Sequence, residues 1–260
     1  MDIKLSGRKA LVTGGSKGLG LAIARTFAEA GADVAIMARR QGPLDEAAAA
    51  IGARQGQKVL AVACDVRRVD DIETGFATVS RAFDGLDILV NNAGTSNANP
   101  FESVTDAQWQ EDIDLKLFAA IRLTRLAWPH MKQHRWGRII NVLNIGAKAP
   151  GPRSVPTSVS RAAGLAITKV LAGEGAPHNV LCNALHVGII ISDQIVRRHA
   201  REGANVSLDA FIAKAGEAVP LGRMGKAEEF AAVATFLCSE QAGYVTGTSI
   251  NVDGGRSPIW

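Results

Sequence analysis

The sequence predicts an α/β fold in which helices cover both faces of a parallel β-sheet. Short apolar runs alternate with longer helical patterns along all 260 residues, which is typical of consecutive βαβ units. Runs such as 34–37 and 88–90 are apolar at every position, as a parallel strand covered on both faces must be. A glycine-rich turn directly follows the first of these runs.

The alternation predicts seven strands and six long helices between them. The predicted strands are Ala10–Thr13, Val34–Ala38, Val59–Cys64, Ile88–Val90, Arg138–Leu143, Val180–Leu185 and Ser249–Val252. The predicted helices are Leu19–Ala30, Leu44–Arg54, Val69–Phe83, Asp106–Met131, Ser158–Gly173 and Ala227–Ser239.

Only residues 190–220 interrupt this rhythm, with a charged helical stretch at Asp193–Glu202 and a boundary at Pro220. An excursion of this length is typical of a segment that covers a binding cleft. We therefore expect a substrate lid at about 190–218 and a single domain over residues 1–260, rather than a second domain.

Composition narrows the classes of partner. The net charge is +4, but the arginine pairs at 39–40, 67–68 and 197–198 are short and scattered along the chain. Nucleic-acid binding needs clustered Lys and Arg, so none is expected. The three cysteines lack the spacing of metal ligands, and we expect no metal site.

The hydropathy of the sequence predicts neither a membrane-spanning helix nor a membrane partner. No apolar run approaches 18 residues, and the first seven residues contain no apolar signal core. The sequence therefore predicts a cytoplasmic protein.

The glycine-rich turn lies between the first strand and the first helix. Glycines at this place permit a tight turn, close approach of backbone N–H groups to a pyrophosphate, and close packing of helix on strand. The helix N-terminus adds a positive dipole end. This is a Rossmann-type dinucleotide site, and the residues expected to bind the cofactor there are Gly14, Ser16, Lys17, Gly18, Leu19 and Gly20.

The end of the second strand indicates which dinucleotide is bound. An acid at this place holds the ribose 2′-hydroxyl of NAD, whereas an arginine accommodates the 2′-phosphate of NADP. Here the strand ends in Arg39-Arg40 with no acid nearby, and Lys17 offers a second cation. The sequence therefore favours NADP(H) over NAD(H).

These motifs make the chain closely resemble the short-chain dehydrogenase/reductase family along essentially its whole length. The resemblance implies a doubly wound seven-stranded parallel sheet, and a homotetramer or less often a dimer. It also adds the adenine-contacting turn after strand three and the Asn-Asn-Ala-Gly motif after strand four. The further cofactor residues that it implies are Asp65, Val66, Asn92, Ala93, Gly94 and, after strand six, Gly188.

The resemblance fails at the four catalytic positions of the family. Thr157 stands in place of the tyrosine, Arg161 of the lysine, Asn144 of the serine and Lys116 of the helix asparagine. The one tyrosine of the chain, Tyr244, lies in the C-terminal signature. The usual proton donor is therefore missing.

Elementary chemistry limits what the replacements can do. A threonine hydroxyl is too weak an acid to protonate an alkoxide near neutral pH, and an arginine stays protonated. Arg161 can bind the nicotinamide ribose or an anionic group, and Asn144 can hold a carbonyl. Lys116 is a titratable candidate whose pKa a neighbouring arginine and burial would depress, so that it relays a proton through water or Thr157. His186 is an alternative acid–base group, although a packed loop histidine is the simpler interpretation.

Three functions remain open. The first is an NADP(H)-dependent oxidoreductase that acts on a small carbonyl or alcohol by a non-standard proton route. The second is a catalytically inactive NADP(H)-binding protein, such as a sensor or an oligomer partner. The third and weakest is a lyase or isomerase.

Overall fold

The computed structural model describes residues 2–55, 59–203 and 205–260. All seven predicted strands are present, and they form one parallel sheet in the order β3-β2-β1-β4-β5-β6-β7. This confirms the predicted fold class. The strands are β1 (Lys9–Thr13), β2 (Asp33–Ala38), β3 (Val59–Ala63), β4 (Ile88–Asn91), β5 (Gly137–Asn144), β6 (Val180–Val187) and β7 (Ser249–Val252).

Helices cover both faces of the sheet. The helices are α1 (Gly18–Glu29), α2 (Gln41–Gln55), α3 (Val69–Phe83), α4 (Asp106–Ile113), α5 (Ala119–Gln133), α6 (Thr157–Gly175), α7 (Asp193–Glu202), α8 (Leu208–Gly216) and α9 (Ala227–Cys238). One core packs α1, α2 and α9 against the sheet, and the other packs α3, α5 and α6. Successive β2 residues alternate between them, since Val34 and Ile36 face the first core and Ala35 and Met37 the second.

The strand order places the site. The chain runs outward from β1 to β3 and then returns to pair β4 with the other side of β1. Neighbouring connections leave the sheet in opposite directions at this point, which opens a crevice beyond the carboxyl ends of β1 and β4. The glycine turn and the Asn-Asn-Ala-Gly motif follow these two strands directly.

The helix predicted over Asp106–Met131 is not continuous. It consists of α4, a π-helical turn at Asp114–Phe118 and α5. Thr105 begins α4 with a capping box formed with Gln108. A π-helical turn is rare and short, and the periodicity of a stretch as long as 106–131 does not locate it. Lys116 lies at the centre of this turn.

The segment predicted as a lid contains α7, as expected, and also α8. Ala204 and the side chains of residues 193 and 194 lie outside the described part of the chain. The role of the segment as a lid stays a prediction. Across the described residues, no helix combines the length and apolar character that crossing a membrane requires.

Gly20 tests the packing of α1 on the glycine turn. A Cβ at this position would lie 2.2 Å from the Gly14 carbonyl oxygen, so the turn must shift in Gly20→Ala. Overpacking of this kind costs about 1–3 kcal/mol, and we expect a loss of that size in the free energy of unfolding measured by urea denaturation.

Gly173→Ala in α6 is the matched control, because an added Cβ there meets no atom within 4 Å. It should be neutral or stabilise by up to about 1 kcal/mol. Equal effects of the two variants would contradict the packing described here.

Candidate active site

Hydrogen bonds fix the glycine turn to the turn after β4. The Thr13 hydroxyl accepts the backbone N–H groups of Asn92 and Ala93 at 2.9 and 3.0 Å, and donates to the Val90 carbonyl oxygen at 3.2 Å. The Asn92 side-chain amide donates to the Thr13 carbonyl oxygen at 2.8 Å. Gly14 and Gly18 have φ angles of 67° and 54°, which glycine adopts at least cost. The two motifs found in the sequence therefore form one rigid floor.

A cavity of about 250 Å³ opens on this floor. It is lined by Gly14, Ser16, Met37, Ala38, Arg39, Arg40, Cys64, Asp65, Val66, Arg67, Ala93, Gly94, Thr95, Glu111 and Leu115. Arg39 and Arg40 are exposed at its edge, where β2 ends without an acid. Lys17 is exposed directly before α1.

The lining of the cavity fits the adenosine half of a nicotinamide dinucleotide. Guanidinium groups bind phosphate through a planar fork of donors, and Arg39 and Arg40 supply two. The N-terminus of α1 follows the glycine turn and suits a pyrophosphate.

Arg67 is a cavity residue that sequence reasoning missed, because the arginine pair 67–68 resembles scattered surface charge. Its guanidinium binds both carboxylate oxygens of Asp65 and also pairs with Glu111. The hydrogen bond from Arg67 lowers the pKa of Asp65. The sequence offered one signal for this contact, because Arg67 stands only two residues after the predicted cofactor residue Asp65.

At the other end of the site, Lys116 and Thr157 are in direct contact. The Lys116 Nζ donates to the Thr157 hydroxyl at 2.9 Å and forms an ion pair with Asp112, four residues before it. The side chain of Lys116 is 0% exposed and that of Asp112 is 2% exposed. Ser160 completes the cluster by donating to the second Asp112 oxygen at 2.6 Å. Neither Asp112 nor Ser160 was singled out from the sequence.

The Thr157 hydroxyl is fully used by its neighbours. It accepts from Lys116 and from the Asn97 backbone N–H at 2.9 Å, and it donates to the Asn97 carbonyl oxygen at 3.0 Å. A hydroxyl has one donor and two acceptor positions. In this arrangement Thr157 holds Lys116 in place, and the predicted relay through Thr157 would have to break a bond to Asn97.

Burial lowers the pKa of Lys116 from 10.5 to about 8. The Asp112 hydrogen bond opposes this shift, and the charge of Arg161 adds to it. The direction agrees with the sequence argument, although burial contributes more than Arg161 does. Burial also lowers the pKa of Arg161 to about 10, so that its guanidinium stays charged at neutral pH. Arg161 donates to the Val142 carbonyl oxygen at 2.6 Å.

Asn144 ends β5, and its side-chain oxygen and the Ser158 hydroxyl of α6 lie 3.3 and 2.8 Å from a Cβ built on Gly146. The Asn144 side-chain oxygen is buried and has no hydrogen-bond partner among the described residues. A buried polar atom without a partner is costly, and the hydroxyl of a ligand would satisfy it.

His186 lies inside β6, so the interpretation as a loop histidine was wrong. Its Nδ1 donates to the Asn144 carbonyl oxygen at 2.7 Å, and its Nε2 lies 2.7 Å from the Ser249 hydroxyl. Burial lowers its pKa. Both ring nitrogens are engaged in hydrogen bonds within the protein. These contacts favour a structural role for His186 over a role as an acid–base group.

The structure also gives the positions of Gly188 and Tyr244, two residues considered in the sequence analysis. Gly188 follows β6, and a Cβ there would lie 2.5 Å from the Asp253 Cα, so only glycine fits. Tyr244 is fully exposed at the surface. In the described residues no group of three or more His, Cys, Asp and Glu side chains could hold a metal ion.

Comparison with known proteins decides the family. Residues 14–257 match the family model described as enoyl-(acyl carrier protein) reductase. The 3-oxoacyl-[acyl-carrier-protein] reductase FabG of Aquifex aeolicus (strain VF5) is 36% identical over 98% of this chain and 99% of its own. This chain is a short-chain dehydrogenase/reductase. The human dehydrogenase/reductase SDR family member 4 is 34% identical over 96% of this chain and 88% of its own.

Solved structures of this family share the whole fold. The L-sorbose reductase of Gluconobacter frateurii, complexed with NADPH and L-sorbose, superposes with a TM-score of 0.95 at 34% identity, over 100% of both chains. The chain therefore belongs to a family of oxidoreductases with NADPH-bound reductases among its similar structures. A nicotinamide cofactor is the ligand that this similarity supports.

The buried pair predicts how stability depends on pH. The pKa of Lys116 is about 8 in the folded protein and near 10.5 when exposed, so the unfolded chain binds more protons between these values. The free energy of unfolding should therefore rise with pH across this window, on the order of 2 kcal/mol. Denaturant titrations from pH 7.5 to 10 measure it against Asp112→Leu/Lys116→Met, which replaces the pair by apolar side chains.

Lys132→Met on α5 is the control, and its profile should follow that of the unaltered protein. A double variant whose profile also coincides with that of the unaltered protein would show that Lys116 does not titrate in this window.

Proposed function

We propose that this short-chain dehydrogenase/reductase is an NADP(H)-dependent oxidoreductase that acts on a small carbonyl or alcohol. In this proposal Lys116, rather than a tyrosine, gives or takes the proton. The observation that carries the proposal is the buried ammonium of Lys116, with a pKa lowered to about 8, held by Asp112 and Thr157. A donor works best when its pKa lies near the working pH.

The chain offers separate groups for each part of the cofactor. Arg39, with Lys17 as the second cation expected from the sequence, would hold the 2′-phosphate. The glycine turn and the N-terminus of α1 would hold the pyrophosphate. When bound, the reduced nicotinamide supplies a hydride. Arg161 carries a positive charge beside Gly94 and would hold the ribose or an anionic part of the substrate.

The reacting oxygen of the substrate would lie beside Lys116, and a separate hydroxyl of the substrate would lie beside Asn144, because a carbonyl oxygen only accepts hydrogen bonds. The unpartnered Asn144 oxygen supports a ligand that brings a hydroxyl donor to this end of the site. During reduction, Lys116 loses one proton to the developing alkoxide and regains it from water. Asp112 keeps the ammonium in position and offsets the cost of burying it.

A second candidate is an NADP(H)-binding protein without turnover. The complete burial of the Lys116 side chain and the full use of the Thr157 hydroxyl favour it, because direct proton transfer needs contact with the substrate. The two candidates share the cofactor and differ only in turnover. The homotetramer and the cellular location expected from the sequence stay predictions, and light scattering tests the first.

Arg39→Ala tests the choice of cofactor. Loss of a charge-assisted hydrogen bond to the 2′-phosphate should raise the Kd of NADPH about tenfold or more and leave that of NADH nearly unchanged. Isothermal titration calorimetry measures both. Arg68→Ala is the control, since Arg68 is exposed and pairs with Asp71. Equal losses for the two cofactors would contradict a 2′-phosphate site at Arg39.

Lys116→Met tests the proton route. The panel of carbonyl substrates should begin with L-sorbose and 3-oxoacyl thioesters, the chemistries that the names of the similar proteins suggest. NADPH consumption by the unaltered protein should fall as pH rises through about 8, because only protonated Lys116 donates. Lys116→Met should lose about 100-fold or more in kcat, while Lys132→Met keeps it.

The same assay separates the second candidate. Tight NADPH binding without turnover in the unaltered protein, with turnover in Thr157→Tyr/Arg161→Lys, would establish the non-catalytic function. Full activity in Lys116→Met would reject the proton route alone.

A further inference from the structure

Arg67 lies at the end of the cavity that Asp65, Val66 and Arg67 form, which we call the base end. Asp65 and Arg67 both line the cavity, and family resemblance assigns the adenine contact to Asp65. The Arg67 side chain folds back onto that carboxylate instead of extending into solvent. The interpretation below rests on the proposed NADP(H) binding.

Both oxygens of Asp65 accept hydrogen bonds from Arg67. Oδ1 accepts the Arg67 backbone N–H at 3.1 Å and Nε at 2.9 Å, while Oδ2 accepts Nη2 at 2.6 Å and Nε at 3.2 Å. The single Nε–H is shared between the two oxygens, so three hydrogens of Arg67, two of them on the charged guanidinium, bind this carboxylate. A 6-amino group on a purine would have to compete with these donors for the same carboxylate.

Further contacts hold Arg67 in this position. Its Nη1 pairs with Glu111 on α4, and its backbone carbonyl accepts from Arg122 on α5 at 3.3 Å. Asp71 accepts the backbone N–H of Asp65 at 3.1 Å and so orients the turn. The guanidinium is therefore anchored on the turn and on α4.

We propose that Arg67 sets the base selectivity of the cavity. Because Arg67 holds both oxygens of Asp65, the site does not recognise the 6-amino group of adenine. Guanidinium N–H groups at this end suit a carbonyl oxygen at position 6 of the purine. The cavity therefore binds a dinucleotide phosphate with a 6-oxo purine as well as one with a 6-amino purine.

The test compares NADPH with reduced nicotinamide hypoxanthine dinucleotide phosphate by isothermal titration calorimetry. For the unaltered protein we expect no preference for NADPH above about fivefold, since Arg67 holds the Asp65 carboxylate and its guanidinium N–H groups can donate to the 6-oxo group. Arg67→Met frees Asp65 as an acceptor, and this variant should favour NADPH by about tenfold or more. Adding Asp65→Ala to it should bring the ratio back near one.

Arg68→Met is the matched control and should leave the ratio unchanged, because Arg68 pairs with Asp71. A preference for NADPH above about fivefold in the unaltered protein, or an unchanged ratio in folded Arg67→Met, would overturn the role of Arg67. Failure of the folded, unaltered protein to bind NADPH would overturn the proposed function as well. Tight NADPH binding with strong base discrimination would overturn only this inference.

Discussion

The ion pair between Asp112 and Lys116 organises the reaction end of the proposed site, which is the cluster of Asp112, Lys116, Thr157 and Ser160. Both side chains are nearly excluded from water, where an unpaired charge would be strongly destabilising. The pair needs its neighbours, because Ser160 and Thr157 supply the further hydrogen bonds that a buried pair requires. These contacts join α4, the π-helical turn and the first turn of α6, so that one charge cluster fixes the relative positions of three segments around the crevice.

The two ends of the site differ in whether backbone geometry or side-chain chemistry determines what they can bind. At the adenosine end, backbone geometry dominates: the glycine turn, the turn after β4 and the strand crossover between β1 and β4 form the proposed pyrophosphate site, and side chains enter mainly at the proposed 2′-phosphate site. At the reaction end, side-chain chemistry dominates, and the sequence resemblance predicts a departure from the family's pattern at four positions. Lys116, with its pKa lowered to about 8 by burial, is the group there whose charge changes near neutral pH. Activity therefore depends on whether a substrate can reach it.

The sequence predicted the elements whose signals are local. All seven strands, the glycine turn and the arginines after β2 were identified, since alternation and turn chemistry depend on neighbouring residues. The residues that were missed acquire their roles through tertiary contacts. Asp112 precedes the predicted Lys116 by four residues, the spacing of an ordinary surface pair, and contacts with α6 place this pair in the interior. Arg67 looked like a surface arginine until the fold brought Glu111 beside it. His186 was assigned to a loop because the apolar run stops before it, whereas pairing with β7 extends the strand.

The most direct test of this account is an NMR titration of Lys116 in protein labelled with ¹³C at the lysine Cε, with the signal assigned by its absence in Lys116→Met. Because burial lowers the pKa of Lys116 more than Asp112 raises it, we expect the midpoint of this titration near pH 8. A midpoint at or above about 10, the ordinary range of an exposed lysine, would contradict the claim that the reaction end is built around a buried, titratable ammonium.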